Sequence, residues 1–266
     1  MIPPKEIQQK AAKTGVRDTQ IEKDYILSWI LKGIAQQEQL SKILVFKGGT
    51  VLKKVYFEDY RFSEDLDFTL INDETTNEQI FEAFEKAFKY VKEEASISLR
   101  KIENNEHEDG GINFYIEYTG PLGGRIGSKS VKIDISKSEQ LVFEPVLKSV
   151  FTGYSDIEDY QLLCYSLEEV LVEKLRSTMQ RMQPRDFYDL WYLLENEEID
   201  IDFYKAEFEQ KCKSKGLNPN DFLQKLTTRL PQYQAKWAES MSAQIKNLPD
   251  YGSVERALMR HIRKLG

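Results

Sequence analysis

The stretch Asp65-Leu66-Asp67-Phe68-Thr69-Leu70 alternates polar and apolar residues without a break. A β-strand turns successive side chains to opposite faces, so Leu66, Phe68 and Leu70 share one face and Asp65, Asp67 and Thr69 the other. A strand written this way must lay its apolar face on a core. Its other face then carries two carboxylates side by side, which repel unless a cation lies between them. Mg²⁺ suits that position, because it takes one or two carboxylates and leaves the rest of its octahedron to water and substrate phosphates. Upstream, Lys47-Gly48-Gly49-Thr50 follows the short apolar run Ile43-Leu44-Val45-Phe46 and opens a helical segment to about Phe57. Glycine lets the backbone approach a ligand closely, and N–H groups at a helix start suit a phosphate. A Gly-Gly-Thr turn by itself is usually only a turn. Its weight here comes from standing one short helix before the two carboxylates, and the pair of features points to phosphate chemistry.

A third carboxylate follows the same logic. In Lys129-Ser130-Val131-Lys132-Ile133-Asp134-Ile135-Ser136, Val131, Ile133 and Ile135 share one face while Lys132, Asp134 and Ser136 share the other. Asp134 alone reads equally well as a solvated strand residue. If its strand neighbours that of Asp65 and Asp67, the three carboxylates converge within about 10 Å, close enough to share divalent cations with ~2 Å metal–oxygen bonds. Asp65, Asp67 and Asp134 are therefore the candidate metal ligands, for Mg²⁺ or Mn²⁺.

With 266 residues and 41% hydrophobic content, the chain can bury one large core or two modest ones. A net charge of −7 speaks against a surface that coats nucleic acid broadly but leaves room for a local basic groove. Two cysteines, Cys164 and Cys212, match no zinc or disulfide spacing, and two histidines cannot build a histidine-rich metal site. The N-terminus has no signal-peptide pattern, and no apolar run approaches a membrane span. These features predict a soluble cytoplasmic protein with no membrane partner.

The periodicities predict an α+β fold: a mixed β-sheet with flanking helices, followed by a C-terminal helical half. Residues 4–36 read as helical, 43–46 and 65–71 as strands, and 76–94 as an amphipathic helix with Ile80, Phe81, Phe84, Ala87, Phe88 and Val91 as its stripe. Strands are expected near 96–103, 112–118 and 129–136. From Ser166 the period is helical throughout. Ser166 and Glu169 form a capping-box pattern for a helix to about Met182, Pro184 interrupts, and helices follow at 185–194, 202–215, 219–229, 231–245 and 253–264. The expected domains are 1–160, an α+β domain with N-terminal helices, and 161–266, helical.

Two further groups carry charge where it needs an account. Lys174 lies within the apolar stripe Leu167, Val170, Leu171, Leu175, Met182, with Arg181 one heptad on. A buried ammonium is costly unless paired. A triphosphate or a carboxylate cluster would pair it; alternatively its stem lies over the core and the ammonium reaches water. Asp186 and Asp189, on the next helix, are candidates either to place Lys174 and Arg181 or to act directly. Near the C-terminus, Arg256, Arg260 and Arg263 share a helix face. That face is an ordinary basic helix end, or it joins Lys129, Lys132 and Arg181 in a groove for RNA phosphates.

The order glycine pair, Asp-x-Asp on a strand, later single Asp on another strand resembles the polymerase-β-like nucleotidyltransferase superfamily. Phe46-Lys47-Gly48-Gly49-Thr50, Arg61-Phe62-Ser63-Glu64-Asp65-Leu66-Asp67-Phe68, Arg185-Asp186-Phe187-Tyr188-Asp189-Leu190 and the early Glu22-Lys23-Asp24-Tyr25 are similar to the AbiEii/AbiGii toxin family. The resemblance covers roughly residues 20–195. Thr50 stands where the superfamily usually has serine, and the gap from Thr50 to Asp65 is longer than usual. The resemblance implies a nucleotidyltransferase-like sheet and transfer of a nucleotidyl group from an NTP to an acceptor, which in characterised relatives can be a tRNA 3′ end. It implies nucleotide binding by Lys47, Gly48, Gly49, Thr50, Arg61, Ser63 and Lys174, and catalysis by Asp65, Asp67, Asp134, Lys174, Asp186 and Asp189. It also implies a toxin of a phage-defence system with an antitoxin protein as partner. Two rival readings stand beside it. One is a nucleotide- or antitoxin-binding module with an inactive site. The other is an Asp-based phosphatase, suggested by Asp-x-Asp-x-Thr but disfavoured because there the first Asp ends an apolar strand, whereas here the apolar alternation follows it.

Overall fold

The structure is a computed structural model that describes residues 1–72, 74–124 and 127–265. It divides into two compact units, Met1–Glu139 with Pro145–Tyr165, and Gln140–Glu144 with Ser166–Gly266.

The first unit opens with α1 (Pro4–Thr14), α2 (Asp18–Ala35) and α3 (Glu38–Ile43). The continuous helix expected over 4–36 is broken because Gly15 takes a left-handed conformation, with its N–H capping the Ala11 carbonyl. β1 (Leu44–Lys47) leads into the short α4 (Gly48–Val51), which widens into a π turn, Leu52–Tyr56. Then come β2 (Asp65–Leu70), α5 (Asn77–Ala95), β3 (Ser98–Glu106), β4 (Ile112–Thr119), β5 (Ser130–Ser136), β6 (Val146–Ser149) and β7 (Gln161–Cys164). All seven form one mixed sheet in the order β3-β4-β5-β2-β1-β7-β6. β2 runs antiparallel to β1 and parallel to β5.

One face of this sheet is apolar. Leu66 lies opposite Ile133, Phe68 opposite Ile135 and Phe114 opposite Ile133, and all are buried. α5 covers this face, with Phe81 and Phe84 packing edge-on to Phe114 at 5.4 and 5.0 Å. Thr76 and Gln79 start α5 with a reciprocal capping box. β6 and β7 were not expected. Each is four residues long without alternation, and β7 becomes a strand only by lying parallel to β1, with Cys164 beside Phe46.

The second unit is helical among its described residues: α6 (Leu167–Gln180), α7 (Pro184–Trp191), α8 (Lys205–Ser214), α9 (Phe222–Met241) and α10 (Tyr251–Ile262). Its core includes an aromatic cluster in which Phe187 stacks on Tyr233 at 4.9 Å and Trp237 meets Tyr251 at 5.6 Å. α9 continues through Pro231, where two helices were expected. An interior proline costs about 3 kcal/mol. The buried Phe222 and Leu226 before it and Tyr233, Trp237 and Met241 after it keep both halves on one core. At α6, Ser166 accepts from the Glu169 N–H, but the Glu169 carboxylate does not complete the expected box. It accepts from the Val142 and Phe143 N–H groups and pairs with the buried Lys211 at 2.7 Å.

The expected class, a mixed sheet with flanking helices followed by a helical half, is the one observed. Among the described residues no helix is long and apolar enough to cross a membrane.

Candidate functional site

The parallel pairing of β2 with β5 places Asp67 opposite Asp134 and Asp65 opposite Lys132. On the other side, β1 places Lys47 opposite Asp67. Residues opposite one another in a sheet share a face, so one row across three strands reads Lys47, Asp67, Asp134. With strands ~4.8 Å apart and ~3.3 Å rise per residue, the Asp65 and Asp134 Cα atoms are about 8 Å apart. The three carboxylates thus share the face opposite α5.

The side chains add a residue that sequence reasoning did not assign to this site. Lys132 Nζ lies 2.8 Å from Asp134 Oδ2. Burial by itself would lower the Lys132 pKa. The Asp134 hydrogen bond and the charges of Asp134, Asp67 and Asp65 outweigh it, and the net direction is upward. His107 Nε2 is 4.0 Å from the same Asp134 oxygen. Among the described residues no three acidic, histidine or cysteine side chains sit close enough together to hold a metal ion as placed. This departs from the expected convergence of three carboxylates. Asp134 is instead held to the lysine beside it. The donor set itself is all hard carboxylate oxygen, on one face and on rigid strands, which fits Mg²⁺ or Mn²⁺ and not a soft metal.

The glycine pair is fitted to this face. Gly48 has φ +80°, and a Cβ there would lie 2.3 Å from Oδ2 of Asp67. Only glycine allows the turn and the carboxylate to coexist. Thr50 is buried, and its hydroxyl donates to the Asp65 carbonyl at 2.6 Å. Its one O–H proton ties the turn to β2 and positions Asp65. Lys47 is buried, with Nζ 3.2 Å from Ser136 Oγ. Arg61 and Ser63 are buried as well. The Arg61 guanidinium donates to the Phe62 carbonyl, and the Ser63 carbonyl accepts from Gln20.

The segment Glu22-Lys23-Asp24-Tyr25 acquires a structural account. Its four side chains reach four separate segments. Glu22, with no exposed surface, accepts from Lys129 Nζ at 2.5 Å and from the Leu122 N–H at 2.7 Å. Lys23 pairs with Glu64 at 2.9 Å, directly before β2. Asp24 pairs with Lys54 at 2.7 Å in the π turn, and the Tyr25 hydroxyl donates to Asp156 at 2.7 Å. Three of these tie-points flank Gly48–Thr50, β2 and β5.

In the second unit, Lys174 lies between two carboxylates with no exposed surface, 2.6 Å from Asp186 Oδ1 and 2.7 Å from Asp189 Oδ2. Arg181 holds the second Asp186 oxygen through Nε at 2.8 Å. Burial opposes ionisation of Asp186, but the Lys174 and Arg181 charges prevail and hold it well below the usual carboxylate range. Of the two roles expected for Asp186 and Asp189, the geometry is that of placing Lys174 and Arg181. The Lys174 ammonium has three donors, two of which these carboxylates take.

The expected RNA-facing lysines and arginines are largely engaged within their own units. Lys129 is held by Glu22, and Arg260 and His261 both grip Glu195 at 2.7 Å. Arg256 donates to Ser253 Oγ.

Asp65 starts β2 rather than ending it, which removes the phosphatase reading. A family model described as nucleotidyl transferase AbiEii toxin, type IV toxin–antitoxin system, matches residues 29–260. No curated protein matches the sequence. Among solved structures, the nucleotidyltransferase toxin MenT4 from Mycobacterium tuberculosis H37Rv superposes with TM-score 0.63 at 15% identity, covering 100% of this chain and 90% of that one. JHP933 from Helicobacter pylori superposes with TM-score 0.61 at 19% identity, covering 94% and 93%. At these identities the likeness is one of fold, while the family match spans most of the chain. The chain belongs to the AbiEii family of nucleotidyltransferase toxins of type IV toxin–antitoxin systems.

Proposed function

We propose that the chain transfers a nucleoside monophosphate from an NTP to an RNA acceptor, tRNA, with release of diphosphate. The observation that carries the transfer chemistry is the register that sets Asp67 opposite Asp134, with Gly48 closed against Asp67. A divalent cation, Mg²⁺ or Mn²⁺, held by Asp65, Asp67 and Asp134 would neutralise triphosphate charge and acidify the attacking hydroxyl. The N–H groups of the Gly48–Thr50 turn bind phosphate oxygens, with Lys47 adding charge. Gly49, Arg61 and Ser63 complete the nucleotide-binding set by holding the turn and the approach to β2. Within the second unit, Asp186 and Asp189 position the Lys174 ammonium, for which the motif resemblance implies a nucleotide-phosphate role. The acceptor hydroxyl oxygen bonds to the α-phosphorus, and the bond from that phosphorus to the bridging oxygen breaks. Diphosphate departs, and the hydroxyl proton passes to a carboxylate of this face or to water.

The acceptor reading and a role in phage defence rest on the motif resemblance; the family also implies an antitoxin partner. The test supplies each labelled NTP with Mg²⁺ or Mn²⁺, purified tRNA and a protein acceptor side by side. Label on tRNA, lost in Asp67→Asn, supports the reading. Label only on protein overturns the RNA acceptor, and a wild-type rate in folded Asp67→Asn overturns the site.

A further inference from the structure

A pocket of about 140 Å³ opens in the first unit between α1, α2, the π turn and residues 151–154. None of Gly48, Asp65, Asp67, Lys132 or Asp134 lines it, so it is separate from the carboxylate face. A water needs roughly 10–15 Å³ of such space, so the pocket has room for on the order of ten.

Four lysines line it: Lys10, Lys13, Lys53 and Lys54. Lys54 is the one with a carboxylate. Its Nζ sits 2.7 Å from Oδ2 of the buried Asp24, and the same oxygen accepts from the Tyr154 hydroxyl at 2.7 Å. The other three have no carboxylate within 4.0 Å among the described residues. Lys10 Nζ lies 4.8 Å from the centre of the Tyr154 ring. Lys53 donates to the Glu58 carbonyl and lies 4.7 Å from the centre of the Phe62 ring. Glu58 and Asp59, also in the lining, are exposed and point no oxygen into ion-pair range of these ammoniums. Burial lowers the pKa of Lys53 and the Lys54 charge adds to it, while the charges of Asp24, Asp59 and Glu58 work against it. Among the described residues, three ammoniums thus line one concavity with no carboxylate in direct ion-pair contact, and four lysines there outnumber the three carboxylates Asp24, Glu58 and Asp59. Ammonium groups on flexible stems are point-charge donors of the kind that bind phosphate oxygens.

We infer that this pocket binds a phosphate-type oxyanion, mono- or diphosphate, either free or as a phosphate of an RNA strand.

The test titrates the full-length chain calorimetrically in metal-free, chelator-containing buffer, first with inorganic diphosphate and then with a single-stranded RNA carrying a 5′-hydroxyl. The proteins are wild type, Lys10→Ala/Lys13→Ala and Asp67→Asn, each checked by thermal melt, with the exposed Lys13→Glu as a second variant. Saturable diphosphate binding that weakens about tenfold or more in the lysine variants and survives Asp67→Asn establishes a free-oxyanion site. If diphosphate binding does not respond to the lysines, but RNA affinity falls in Lys10→Ala/Lys13→Ala with a salt slope shallower by about 1.4, the site holds backbone phosphates. Equal binding by wild type and lysine variants in both arms overturns the inference. So does diphosphate binding lost in Asp67→Asn alone. These readouts involve no nucleotidyl transfer, so they stand or fall apart from the proposed activity.

Discussion

A Cβ at position 48 has nowhere to go, because the Asp67 carboxylate already occupies its place and the backbone is left-handed. Gly48→Ala therefore adds about 1–2 kcal/mol of backbone cost and pushes Asp67 aside. A misplacement of about 1 Å at a reacting centre costs about 10²-fold in rate. The expected result is a melting temperature lower by a few degrees and a transfer rate down by about two orders of magnitude, measured on the same preparation. A large loss of stability with Asp67 chemistry intact would contradict it. Lys132 offers the converse case. Its ammonium sits among Asp65, Asp67 and Asp134, so Lys132→Gln leaves three carboxylates less compensated. Metal-free stability should fall by ~1 kcal/mol, and added Mg²⁺ should raise the melting temperature of Lys132→Gln more than that of wild type. Equal shifts would show that Lys132 does not share the carboxylates' space.

Among elements, α6 and α7 are joined by charge as well as by packing. Asp186 has no exposed surface and holds both Lys174 and Arg181, so Asp186→Asn strands buried positive charge. The expected loss is about 3–5 kcal/mol. The sign with pH follows from the direction of its shift. Its folded pKa is depressed below the ordinary aspartate value of about 3.9, so its contribution is complete above that value and is lost as pH falls through the folded value. Urea midpoints of wild type and Asp186→Asn should differ most at pH 7 and draw together below about pH 4. A difference that stays constant to pH 3 would mean that ionisation of Asp186 is not what joins the helices. In the other unit, Glu22-Lys23-Asp24-Tyr25 plays a comparable part, since one helical turn holds Leu122 and Lys129, the approach to β2 and the π turn.

For the whole molecule, the two cysteines report on the two units separately. Cys164 is buried on β7 of the first and Cys212 on α8 of the second. Burial pushes their thiols up to about 12 and about 11, so neither presents thiolate near neutral pH. A thiol reagent at pH 8 should label the native chain at least about a thousandfold more slowly than the denatured one, where two thiols react. Following each site by peptide mapping as denaturant rises gives the opening of each unit. Rapid native labelling at either cysteine would contradict the packing around it.

Much of this molecule is written in local periodicity. The alternation of 65–70 and 129–136, the stripe of 76–94 and the helical period after Ser166 are properties of short windows, and burial of one face is enough to turn each into its element. Lys174 was legible as a buried charge in need of partners, because an unpaired ammonium in an apolar stripe is too costly to leave. What no window contains is who lies beside whom. The pairing of Asp67 with Asp134 joins strands far apart in the chain, and its register is set by the apolar faces meeting α5. The alternation of 129–136 already set Lys132 beside Asp134, but only the pairing brought it to Asp65 and Asp67 as well. β6 and β7 are too short to carry a period and exist only through β1. Glu22, Lys23, Asp24 and Tyr25 look in sequence like one polar turn of a helix, and only the fold reveals their four separate partners. The composition determined that a core and a charged site would form; the tertiary structure alone decided which charges would meet, because a charge is placed by the packing of everything around it.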